Sequence, residues 1–302
     1  MNTDGSPVYK STKNSLWPIQ FRINEFPPEK RDLSENLMLA GLWFGKKEPN
    51  MQVFMKPFVQ EMYDLYHNGF SWQHHEEVIE TKVITLNCVV DSVAKPTLQG
   101  TTQFNGYFGC NYCYHPGDLI DNQIRYCSDK FDDRTDVKIR EEMLFCTSQS
   151  TTVSGVKRIS PLYVLPNFDL VNGFVIDYMH AVLLGVAKLT VTLWTDSKSH
   201  NSPYYIGKKV DKIDERLLNI KPPQSITRRP RSIKESVRWK ANEWRAWLLY
   251  YSLPCLIDLL PVAYLKHHLL LISTVYSLLK TQITATELID IEDDLFFICE
   301  AV

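Results

Sequence analysis

The chain lacks an excess of charge of either sign. Its 302 residues hold 33 Lys and Arg against 35 Asp and Glu, a formal net charge of -2. That balance excludes a uniformly basic nucleic-acid binder, so any DNA contact has to come from a local basic patch. An apolar leader is also missing: the opening MNTDGSPVYK holds no hydrophobic run, so no signal peptide is read and secretion is not expected. The most apolar stretches, 248–260 and 269–279, are punctuated by Pro254, Asp258, Pro261 and Lys266. They predict buried helices and no membrane span. The seven cysteines are an odd number, which argues against a disulfide framework and for a reducing, intracellular setting. No internal repeat is visible. What remains is an ordinary globular composition, 44% hydrophobic and 23% charged, on a chain long enough for one large domain or two smaller ones.

Along the chain, Asp4-Gly5-Ser6-Pro7 is a turn signal. Residues 19–23 alternate apolar and polar as a half-buried strand does, and the apolar run 37–44 has the length of a buried strand. Phe54, Phe58, Met62 and Leu65 recur at helical spacing and predict an amphipathic helix over 51–66, stopped at Asn68-Gly69. The β-branched run 82–90 predicts a central strand ending at Asp91, followed by a helix over 93–99 capped by Ser92. A stretch rich in Gly, Asn, Tyr and Cys follows at 104–117. Helices are predicted over 136–145, over 174–194 as one long apolar segment, and from about 232 to 253. A Pro-punctuated basic linker, 221–234, precedes the last of these.

Three carboxylates stand out by placement. Asp4 sits where a first strand would end, Asp91 at the end of the next apolar strand, and Glu243 on a helix beyond a long insertion. Acidic residues so placed can converge to hold two Mg²⁺ (or Mn²⁺) ions, which suit hard oxygen ligands and can activate an attacking hydroxyl in phosphodiester chemistry. Each residue also has a plainer reading: a turn for Asp4, a helix N-cap for Asp91, a solvated or paired helix face for Glu243. A second constellation is Cys110-Asn111-Tyr112-Cys113, which could present two thiolates to Zn²⁺. Its second ligand pair would be Asp177 and His180, with His115 and Cys127 as alternatives; two buried thiols are the plain reading. A third feature is basic. Arg228, Arg229 and Arg231 could track DNA phosphates or belong to a solvated linker, and the Trp239, Trp244 and Trp247 that follow are read as core.

These motifs, in this order, resemble the eukaryotic transposase-domain proteins related to the Tnp2-type transposases of the CACTA (EnSpm) class. The resemblance is carried by Thr3-Asp4-Gly5-Ser6-Pro7-Val8-Tyr9-Lys10-Ser11, Trp17-Pro18-Ile19, Gly45-Lys46-Lys47-Glu48-Pro49 and Asp91-Ser92-Val93-Ala94-Lys95. It continues through Gly106-Tyr107-Phe108-Gly109-Cys110-Asn111-Tyr112-Cys113, Arg134-Thr135-Asp136, Ser160-Pro161-Leu162, Asp177-Tyr178-Met179-His180 and Lys240-Ala241-Asn242-Glu243-Trp244-Arg245. It implies an α/β chain with an RNase H-like mixed sheet. The first part of that core is expected over 1–100, a mostly helical and loop insertion over 101–231, and C-terminal helices with the third acidic residue over 232–302. It implies a D-D-E set of Asp4, Asp91 and Glu243 with Mg²⁺ or Mn²⁺. Structural Zn²⁺ would sit at Cys110, Cys113, Asp177 and His180. Cutting and joining of transposon DNA ends, assembly as a homo-oligomer and a nuclear location are implied as well. Asp4 has three residues before it, so the first strand is expected to be truncated, and no N-terminal DNA-binding module is read. A truncated or domesticated DNA- or protein-binding module without catalysis is the alternative.

Overall fold

The computed structural model describes residues 1–7, 14–127 and 129–300. The part of the opening motif from Val8 to Ser11 lies outside them. The chain divides into two compact units, Met1–Asp177 and Tyr178–Val302. The dividing point falls inside the stretch that the sequence groups as an insertion.

The first unit is built on a mixed sheet. β1 (Asn2–Thr3) and β2 (Ser6–Pro7) both pair antiparallel with β3 (Ser15–Phe21), and β3 pairs antiparallel with β4 (Met38–Gly45). Between β3 and β4 lie a short helix, α1 (Pro28–Arg31), and a 3-10 turn, Ser34–Asn36; after β4 come α2 (Met51–Phe54) and α3 (Lys56–His67). A hairpin of β5 (Phe70–His74) and β6 (Glu77–Thr81) leads to β7 (Cys88–Val89), which pairs parallel with β1. Then follow α4 (Ala94–Gln99), a hairpin of β8 (Asp118–Ile120) and β9 (Gln123–Arg125), and α5 (Asp136–Gln149). β10 (Phe174–Val175) closes the unit, parallel to β7. The path through this six-stranded sheet runs β10-β7-β1-β3-β2, with β4 also paired to β3; β1, β2 and β4 meet β3 antiparallel, and β7 and β10 are added parallel beyond β1.

The core explains this arrangement. Trp17 and Ile19 of β3 belong to a cluster that takes in Met55, Phe58, Val59 and Met62 around α3, Cys88 from β7, Val90 just after it, and Leu98 from α4. Burial of such side chains contributes about 1.5–3 kcal/mol each. Several expectations need correction. The helix expected over 51–66 breaks at Met55, because Pro57 in the first turn of α3 has no N–H to donate to the preceding turn. The run 82–90 is strand only at Cys88–Val89, and Ile84 and Leu86 lie exposed. β4 is no buried strand: among the described residues it pairs only with β3, and it leaves Leu39, Leu42 and Phe44 in solvent. The segment 174–194 is not one helix, since Phe174–Val175 is β10.

The second unit is helical. A π-helical segment, Met179–Ala187, runs into α6 (Lys188–Thr195), followed by α7 (Val210–Leu218) and a 3-10 segment, Ile233–Arg238. Next come α8 (Ala241–Ala246), the π-helical Trp247–Tyr251, α9 (Ser252–Leu256), α10 (Val262–Leu278) and α11 (Ala285–Glu300). The predicted helix from 232 is thus interrupted, and Glu235 and Glu243 sit on different segments. Trp239, Trp244 and Trp247 are core, with ring centroids 4.9 and 5.9 Å from the Trp239 ring. Among the described residues no helix is long and apolar enough to cross a membrane.

One buried group is expected to make this unit acid-sensitive. His268 is 2% exposed; its Nε2 lies 2.8 Å from the Ser252 hydroxyl, which also lies 3.1 Å from the Leu248 carbonyl. Nδ1 is buried without a partner. Burial, then the nearby His267, push the imidazole down to about 4. The folded state binds fewer protons here than the unfolded one between pH 6.5 and about 4, so stability falls as pH falls through that window. The expected loss is roughly 3 kcal/mol by linkage. Denaturant titrations at the two ends of the window check it, and His268→Gln should flatten the difference.

Candidate functional site

The site in the first unit forms where two parallel strands end side by side. β1 and β7 are registered at Asn2 and Val89. Two residues on from each register position, both segments leave the β1–β7 pairing at the same end, at Asp4 and Asp91, and the first goes on to pair with β3 again as β2. The two side chains are half-buried, and each offers a carboxylate oxygen within 4.8 Å of the other's. Hard oxygen donors at that separation are what a divalent cation such as Mg²⁺ needs from a protein that leaves its other positions to water.

Asp91 also has the plainer role. Its Oδ1 accepts the Val93 and Ala94 amides at 3.0 and 2.6 Å. It caps the turn that leads into α4, a role expected of Ser92. The two functions are compatible, because a carboxylate has two oxygens and about four lone-pair sites. α4 ends at Gly100, whose φ of +80° and a built Cβ position only 2.4 Å from the Arg158 carbonyl exclude any side chain.

Sequence reading missed the residue that holds this helix. Lys95, the second residue of α4, is 6% exposed. Its ammonium donates to the Tyr112 hydroxyl at 2.8 Å and the Phe174 carbonyl at 3.1 Å, and lies 4.0 Å from the Tyr112 ring centre. Tyr112 donates to the same carbonyl at 2.7 Å. Burial pushes the ammonium down to about 8, with Cys110 and Cys88 pulling the other way. Lys95 thereby joins the Asp91 helix, strand β10 and the cysteine loop.

That loop brings Cys110 and Cys113 together, with Sγ atoms 3.3 Å apart and both thiols free. A second unpredicted residue organises it. Arg134 is 4% exposed, and its Nε donates to the Cys110 and Cys113 carbonyls, both at 3.1 Å. Its Nη2 reaches the carbonyls of Phe108 and Ser154. Glu142 lies 3.6 Å from Nη1, a charge contact and not a hydrogen bond. Among the described residues of this unit, no third His, Cys, Asp or Glu forms a compact ligand group with the two thiols; His115, an alternative ligand, instead accepts the Gly117 amide on Nδ1. Cys127 is exposed. Asp177 ends the first unit, while His180 belongs to the second, at the second position of the π-helical segment.

Glu243 also lies in the second unit, at the third position of α8. Its Oε2 accepts the Lys240 amide at 2.8 Å, a capping contact. Arg231 grips both oxygens, at 2.7 and 3.0 Å, and Arg228 approaches to 3.6 Å. Burial raises the Glu243 carboxyl; Arg231, the Lys240 amide and Arg228 outweigh it and hold the group below its ordinary value. Arg229, the remaining residue of the predicted DNA-binding set, is exposed.

A family model described as transposase family tnp2 matches residues 1–134, the stretch that holds Asp4, Asp91, Lys95, Cys110 and Cys113. The match supports a transposase-domain protein. No curated protein matches the chain.

Proposed function

We propose that this chain carries the catalytic part of a DNA transposase of the CACTA type, built on an RNase H-like core, with Asp4, Asp91 and Glu243 as its metal-binding carboxylates. The observation that carries the reading is the convergence of Asp4 and Asp91 at the ends of adjacent parallel strands. The strand order supports it: an antiparallel β1-β3-β4 set, a helical crossover, then β7 and β10 added parallel to β1. The transposase match over 1–134 supports it as well.

The donors fit Mg²⁺ or Mn²⁺, since both contributing groups of the first unit are carboxylates. When bound, such ions supply Lewis-acid activation of water or a 3′-hydroxyl and stabilise the leaving oxygen. The chain's own contribution is positional. The β1–β7 pairing sets the spacing of the two carboxylates, the Val93 and Ala94 amides hold one Asp91 oxygen, and Lys95 anchors the helix beneath it. The two thiols at Cys110 and Cys113 would supply half of a tetrahedral zinc site, completed in this reading by Asp177 and His180. DNA ends as substrate, a homo-oligomer to pair them, and work in the nucleus belong to the same proposal.

The test is nicking of supercoiled plasmid with Mn²⁺ present. Wild-type protein is expected to nick, and Asp4→Asn to lose the activity. Nicking that survives both Asp4→Asn and Asp91→Asn rejects the carboxylate assignment. A second reading, a non-catalytic DNA-binding module, draws on Glu243, whose carboxylate is occupied by Arg231 and Arg228. Salt-dependent DNA binding with no cleavage by the wild-type chain would favour it.

A further inference from the structure

We infer that Glu243 and the basic segment 228–231 form an exchange latch, in which a DNA phosphodiester backbone takes Arg231 and Arg228 from the carboxylate and so releases Glu243. The inference rests on the reading of Glu243 as a metal ligand, but its test does not depend on cleavage.

The contacts are asymmetric. The Glu243 side chain is 8% exposed, whereas those of Arg231 and Arg228 are 36% and 51% exposed. A polyanion arriving from solvent therefore meets the arginines and not the carboxylate. Arg231 presents Nε and Nη2 as a fork to the two oxygens of Glu243. That fork matches two phosphate oxygens equally well, so the exchange keeps its geometry. The neighbourhood offers a polyanion further cations, since Arg229, Arg238 and Lys240 are all exposed.

Charge balance is what makes the exchange reciprocal. A buried carboxylate left without a counter-charge is costly. The Lys240 amide, which would stay in place, offsets only part of that cost. A divalent cation can offset the rest. Phosphate on the arginines and metal on Glu243 thus favour each other, while free protein keeps the two protein charges paired together. In this unit the latch couples arrival of DNA to availability of the third acidic residue.

The test compares binding of the full-length chain to a short mixed-sequence DNA duplex in EDTA, over a series of salt concentrations. Glu243→Gln keeps a side-chain oxygen for the Lys240 amide but drops the nearest charge on both arginines, leaving Arg231 with Glu235 at 3.6 Å and the Arg238 carbonyl at 3.0 Å. It is expected to bind DNA roughly tenfold tighter than wild type, with the salt slope unchanged. Glu215→Gln, on the exposed face of α7, changes net charge equally and should give no comparable gain. Arg228→Gln, which alters only the looser and more exposed contact and so should leave folding intact, is expected to make the salt slope shallower by about one. The latch is overturned if Glu243→Gln binds no tighter than Glu215→Gln, or if Arg228→Gln leaves the slope as it was. Should Glu243→Gln not fold, the Arg228→Gln slope decides alone. Failure of the nicking assay would instead remove the catalytic reading and leave these affinities to be interpreted on their own.

Discussion

Asp91→Ser is expected to lose metal-dependent DNA cleavage by a factor on the order of 10³ or more, the scale of removing an essential member of a catalytic set, while the protein melts within a few degrees of wild type. The two halves of that outcome come from different oxygens of one side chain. Oδ1 receives the Val93 and Ala94 amides and starts α4. A serine hydroxyl can accept the same amides, so the cap survives. It cannot replace a carboxylate as a charged metal ligand beside Asp4. Asp91→Ala removes both roles, and should cost about 1 kcal/mol of stability beyond the serine variant. Cleavage and melting curves on the three proteins separate the roles. A serine variant that cleaves normally would leave Asp91 as a cap and nothing more.

Arg134→Ala is expected to be the most destabilising single change in the first unit, by about 3–5 kcal/mol. The loss is large because one buried guanidinium serves four carbonyls, those of Phe108, Cys110, Cys113 and Ser154. Removing it strands those acceptors and leaves Glu142, whose carboxyl burial already raises, without the charge that opposes the shift. The cation also lies 4.5 Å from the Tyr114 ring centre, while Lys138 lies 4.1 Å from it. Arg134→Lys should recover little, because an ammonium cannot span four carbonyls as a planar fork does. Chemical denaturation reads the loss, and thiol labelling localises it: Cys110 and Cys113 should react faster while buried Cys255, in the other unit, does not.

The sequence made the site's ingredients visible more readily than its fastenings. Asp91 could be placed because a β-branched run precedes it, and Asp4 because a turn signal surrounds it. The strands themselves are two residues long at β1, β7 and β10, too short for an alternating pattern to register. The hairpin Phe70–Thr81 escaped notice because both of its faces are solvated and its strands carry His and Glu. β4 was read as buried from its composition alone; nothing local tells an edge strand from a central one. Lys95 and Arg134 depend on acceptors up to 79 residues away along the chain, and Glu243 on an arginine across a break between two helical segments. Each of those is a tertiary partnership that no short window contains.

The Lys95 anchor also bears on how the first unit folds correctly in the first place. Apolar contacts are forgiving: a short helix such as Ala94–Gln99 could slip by a residue along its groove and still bury hydrophobic surface. An ammonium inside the core is not forgiving, because it is satisfied only where the Tyr112 hydroxyl and the Phe174 carbonyl stand. Any slipped register would strand a charge in apolar surroundings, a far steeper penalty than a misplaced methyl group. The lysine thus acts as a proofreader of alignment, converting a shallow choice between neighbouring registers into a single admissible one, and Asp91, one turn away, inherits that precision.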